Sequence, residues 1–68
     1  MLNQPVKDFL KGTKNHYLVS ISEGTNENIV FQDTYKELKK RNDLLCKIVT
    51  SWDAIPMADG TVEIGIMI

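Results

Sequence analysis

Apolar and polar residues alternate with a period of two along several stretches of this chain, and repeat with a helical period along two others. The alternation is plainest over residues 61–68. There Val62, Ile64, Ile66 and Ile68 share one strand face that is β-branched and apolar throughout. No polar tail follows Ile68, so this segment is expected to be buried, against its own chain or against a second copy. Residues 16–22 alternate in the same way, with Tyr17, Val19 and Ile21 on one side and Leu18, Ser20 and Ser22 on the other. Turn formers crowd residues 23–28 and an extended pattern resumes at Ile29, so residues 16–33 read as a hairpin. Cys46, Ile48, Thr50 and Trp52 alternate against Lys47, Val49 and Ser51, which predicts a strand over 46–52. Residues 53–60 then read as a loop with Asp59-Gly60 as its tight turn, and the terminal strand closes a second hairpin.

The helical period appears first over residues 4–11. Pro5 suits a first turn, Val6, Phe9 and Leu10 share a face, and Gly12 is a stop. It appears again from Thr34 to about residue 44. Thr34-Tyr35-Lys36-Glu37 fits a capping box, with Asp33 as the alternative cap one residue earlier. Tyr35, Leu38, Asn42 and Leu45 fall on one face with Leu44 beside them, and Lys36, Lys39, Lys40 and Arg41 occupy the remainder. The sum is an α+β fold in a single compact domain over 1–68: a short N-terminal helix, then ββαββ, with one main helix packed on one face of a four-stranded sheet. The uncovered face is expected to carry Leu18, Val30 and Val49 among Ser20, Ser22, Gln32, Lys47 and Ser51. The terminal strand holds no Lys, Pro or other edge protection. Its edge is therefore expected to pair with a second copy, the self-contact running through Ile64, Ile66, Met67 and Ile68, with Gly65 permitting close approach of a backbone.

Size sharpens that expectation. A chain of 68 residues builds one small core, and domains this short commonly add a disulfide, a metal or a partner. Cys46 is the only cysteine, so no intrachain disulfide forms, and Cys46 with the single His16 cannot make a Cys/His zinc site. Self-association or unusually good packing remains, and of the two a homo-oligomer is the expectation. The net charge of -1 gives no overall attraction for nucleic acid or anionic lipid. Apolar runs do not exceed three residues, and the start, Met1-Leu2-Asn3-Gln4-Pro5, lacks the features of a secretory signal. A lone thiol suits a reducing compartment, so a cytoplasmic protein without membrane contact is expected. Lys far outnumbers Arg and Asn and Ile are frequent, a bias met in AT-rich genomes and in the short accessory chains of phages and mobile elements.

Candidate chemistry is sparse. Gly12, Gly24, Gly60 and Gly65 stand apart and make no phosphate loop, and Asp53, Asp59 and Glu63 do not have calcium-loop spacing. No local motif pairs carboxylates for acid–base work, and nothing directs Cys46 and His16 together; Cys46 reads as a buried, inert thiol. The expectation is a protein that is not an enzyme and takes no cofactor or metal. The segment Trp52-Asp53-Ala54-Ile55-Pro56-Met57 joins residue types favoured at contact surfaces, and Trp52, Asp53, Ile55 and Met57 are the expected partner-binding residues; the alternative is that this loop folds back to cap the open end of the sheet. The leading reading is a small self-associating protein-interaction module that binds or inhibits a host factor. Two other classes rest on Lys36, Lys39, Lys40 and Arg41: a nucleic-acid-associated regulator, or an oligomeric sequestrant of a small anionic ligand. Against both, Glu37 lies among these cations, Asp33 and Asp43 flank them, and positive charge near a helix C-terminus is favoured for its own sake.

Overall fold

A computed structural model gives the fold and describes residues 4–25 and 27–68. Residues 1–3, part of the segment read for a secretory signal, and residue 26 of the first predicted loop lie outside the described residues. The elements in chain order are α1 (Val6–Phe9), β1 (Leu18–Ser22), β2 (Ile29–Thr34), α2 (Tyr35–Leu38), α3 (Asn42–Leu45), β3 (Ser51–Pro56) and β4 (Val62–Met67). The four strands form one mixed sheet in the order β2-β1-β4-β3. Each hairpin is antiparallel, and the two hairpins join through parallel pairing of β1 with β4. The molecule is the small α+β domain the sequence predicts, with three short helices among the described residues.

The helices cover one sheet face. Val19 and Ile21 of β1 and Ile66 of β4 point into the layer filled by Val6, Leu10, Tyr35, Leu38, Leu44 and Val49, with Ile64 and Ile68 packed against it. The apolar terminus is thus docked on its own chain: Ile68 N–H donates to Ser22 C=O at 2.9 Å, and Gly24 N–H donates to Ile68 C=O at 3.3 Å. Parallel pairing with β1 puts Ile64 beside Val19 and Ile66 beside Ile21, which makes β4 a central strand. The expected free edge on the terminal strand therefore does not exist. Backbone pairing of a second copy along Ile64, Ile66, Met67 and Ile68 is excluded, because β1 and β3 already take both sides of that strand.

Two further expectations are corrected. The helix predicted over 34–44 is two helices, α2 and α3, separated at Arg41, whose φ of -108° and ψ of 78° are not helical. The start at Thr34 is as predicted, with the Thr34 hydroxyl accepting from Glu37 N–H at 3.4 Å. The reciprocal half of the capping box does not form: Thr34 N–H donates to the Asp33 carboxylate, and the Glu37 carboxylate pairs with Lys40. In one straight helix, Leu44 would lie well round the barrel from Leu38. The break turns Leu44 into the core, and Asn42 and Asp43 occupy a first turn, where such residues are favoured. The strand predicted over 46–52 is displaced to 51–56. Residues 47–49 pair instead with the chain start: Val6 N–H donates to Lys47 C=O at 2.8 Å, and Val49 N–H donates to Gln4 C=O at 2.9 Å. Val49 is buried by that contact, whereas Cys46, expected inside, is exposed.

The β3–β4 connection is a three-residue loop. Met57 N–H donates to Thr61 C=O at 2.8 Å, Gly60 N–H donates to Met57 C=O at 3.2 Å, and Gly60 has φ 89°. Asp59 accepts from the Thr61 hydroxyl at 2.6 Å and from Thr61 N–H at 3.0 Å, which holds its carboxyl below the usual carboxylate range. Nothing crowds Gly60, so Gly60→Ala tests backbone conformation alone. The substitution is expected to cost about 1–2 kcal/mol by urea unfolding, the penalty of an L-residue in the left-handed region.

Candidate interaction surface

Among the described residues no helix covers the second face of the sheet. Its side chains stand in three rows across the strands, set by the register. Gln32, Ser20, Gly65 and Asp53 form the middle row. Ile29, Ser22, Met67 and Ser51 lie on one side of it, and Thr34, Leu18, Glu63 and Ile55 on the other. The middle of the sheet carries its smallest residues, Ser20, Ser22 and Gly65, while Ile29, Ile55, Glu63 and Met67 rise around them. The result is an open groove of about 420 Å³ whose charged lining residues are Asp53 and Glu63. Gly65 has a direct part in its shape. An added Cβ there would collide with the Asp53 carboxylate, which lies across β4 at this point.

β3 forms one rim of the groove and is exposed along its whole length. Trp52 is 52% exposed, Ile55 50% and Met57 39%. The strand alternates, so these residues do not share one face. Asp53 and Ile55 point into the groove, while Trp52 lies on the helical side with its ring 5.3 Å from that of Phe9. The residues expected to bind a partner are thus on an edge strand, in place of the loop assigned to Asp53 and Ile55. Met57 begins the turn beyond it. Of the residues expected to carry self-contact, Ile66 is buried, Ile64 and Ile68 pack on the core, and Met67 lines the groove.

The two sheet edges differ. On β2 the register shifts between Ile21 and Ser22, leaving Val30 without a partner, and the Asp33 carboxylate accepts from the outward Thr34 N–H at 2.7 Å. A bulge and a self-satisfied donor both discourage pairing with another strand. β3 has no such bond among the described residues. Its only device is Pro56 at its end, and no described residue pairs with its outer side.

The basic cluster lies on the helical side, and most of it is locally compensated. Lys40 pairs with Glu37 at 3.1 Å, and Arg41 makes two hydrogen bonds of 3.2 Å to Asp43. The hydrogen bonding raises the Arg41 pKa and lowers that of Asp43. Lys39 sits over the Tyr35 ring at 4.9 Å. Of the four cations, Lys36 has no such side-chain partner among the described residues.

His16 stacks edge-on against Tyr17 with ring centroids 4.9 Å apart. Among the described residues no group of three or more His, Cys, Asp and Glu is gathered to hold a metal ion, and no helix is long and apolar enough to cross a membrane. The groove escaped sequence reasoning because its lining comes from all four strands, and its floor from β1 and β4, which are distant in the chain. The one local signal was Gly65, an isolated glycine in a strand, which marks a close approach. Comparison with protein-family models, with curated protein sequences and with solved structures finds no match to this chain.

Proposed function

We propose that the protein is a small, non-enzymatic, self-associating protein-interaction module that acts by presenting β3 and the adjoining groove. One observation carries this reading. Trp52, Ile55 and Met57 are exposed together on and beside a strand whose outer edge is unpaired among the described residues. Large apolar groups of this kind anchor interfaces when a partner takes them out of water. The partner in this reading is a protein, itself or another, and the action is occlusion of the surface bound. In this reading the protein is an accessory inhibitor of the phage or mobile-element type, and the surface occluded belongs to a host factor in the cytoplasm. The alternatives, a nucleic-acid regulator or a sequestrant of small anions, have weaker support, since Lys39, Lys40 and Arg41 are engaged by their own neighbours.

The test is solution mass over a concentration series, from about 1 µM to about 1 mM, a span that covers weak and transient interfaces. The expected result is a mass that rises from one chain to a defined multiple. A single-chain mass throughout would end the self-associating reading. Retention on DNA or RNA that falls steeply with salt would move the function to the basic residues.

A further inference from the structure

We infer that two copies of this chain join through the outer edges of β3, antiparallel across a two-fold axis at Ala54, into one continuous eight-stranded sheet. The inference rests on the self-association proposed above and names the surface that carries it. The edge is already shaped for it. Met57 pairs with Thr61, and the register runs unbroken from there, so Ile55, Asp53 and Ser51 direct their backbone groups to β4. The alternation leaves the N–H and C=O of Trp52 and Ala54, and the C=O of Pro56, facing outward.

Those groups are self-complementary in one register above others. With Ala54 on the axis, its N–H and C=O exchange two bonds with the partner's Ala54. Trp52 N–H then meets the C=O of the partner's Pro56, and the symmetric bond forms in return, making four bonds in all. Pro56, which has no N–H, falls where only its carbonyl is needed. On the helical side, Trp52 faces the partner's Pro56. On the groove side, Asp53 faces the partner's Ile55. Centring the axis on Asp53 also gives four bonds, but sets two carboxylates directly opposite each other, which is unfavourable. Centring it on Ile55 gives two bonds.

The assembly closes at two copies, because the other edge of the sheet is blunted by the Val30 bulge and the Asp33–Thr34 bond. With a net charge of -1 per chain, little repulsion opposes it. The open faces of the two sheets become continuous at the seam, and the partner's Ile55 completes the groove wall beside Asp53.

The test uses two charged variants of the full chain, Ala54→Lys and Ala54→Glu. Ala54 is exposed, so both are expected to fold, as circular dichroism would check. Each alone should weaken the dimer about tenfold in sedimentation velocity, as like charges meet across the axis. An equimolar mixture should recover it as a heterodimer. Variants that associate as the wild type does would overturn the β3 seam while leaving self-association standing. Two weakened variants that do not rescue each other would overturn the axis at Ala54. A wild type that stays monomeric at every concentration would overturn both this inference and the reading beneath it.

Discussion

Leu38→Ala is expected to lower the melting temperature by roughly 15–20 °C, or to leave the chain unfolded at 37 °C. Leu38 has no exposed surface. It reaches from α2 onto the sheet, where α2 lies over β1 and β2. A leucine so placed loses about 3 kcal/mol on truncation, from lost transfer free energy and the cavity left behind. At this length total stability is roughly 3–10 kcal/mol, and each kcal/mol moves the midpoint by about 4–8 °C. Ile48→Ala is the control. Ile48 is 46% exposed beside the chain start, and its truncation should cost about 1 kcal/mol or less. Thermal unfolding followed by circular dichroism separates the two. A similar small shift for both would mean that Leu38 does not hold the helical layer to the sheet.

Trp52→Ala is expected to abolish measurable self-association while the fold survives. Half the side chain is already in water, and its main contact is the tilted stack on Phe9. Losing that stack should cost the monomer about 1 kcal/mol. At an interface the same side chain is worth about 2 kcal/mol or more, roughly a thirtyfold change in dissociation constant. Sedimentation of the variant beside the wild type reads the association, and urea unfolding reads the fold. Loss of the fold would make Trp52 a core residue whose burial the half-exposed position conceals. Unchanged association would remove it from the interface.

Phe9→Ala removes the same stack from the other side, and because Phe9 also packs against the core it is expected to lower stability as well. The groove itself is reached through Gly65. The atom that an added methyl would strike is the far end of the Asp53 side chain, free to swing away. The glycine thus serves the placement of one carboxylate over β4, more than the packing of the sheet.

What the residue pattern determined by itself was local. Alternation over 16–22 and 61–68 marked two strands, because side chains on a strand must divide between two faces. Thr34 and Glu37 marked a helix start, because a cap is read from residues one turn apart. Asp59-Gly60 marked a turn, because the left-handed conformation falls to glycine. Tertiary structure decided the rest. It cut the 34–44 helix at Arg41 so that both Leu38 and Leu44 could be buried. It spent residues 47–49 on the chain start and moved the third strand into 51–56. It placed the terminal strand at the centre of the sheet, with β3 at the edge. Each of these turns on pairing between residues far apart in the chain, and an apolar strand has the same pattern whether its backbone finds one neighbour or two.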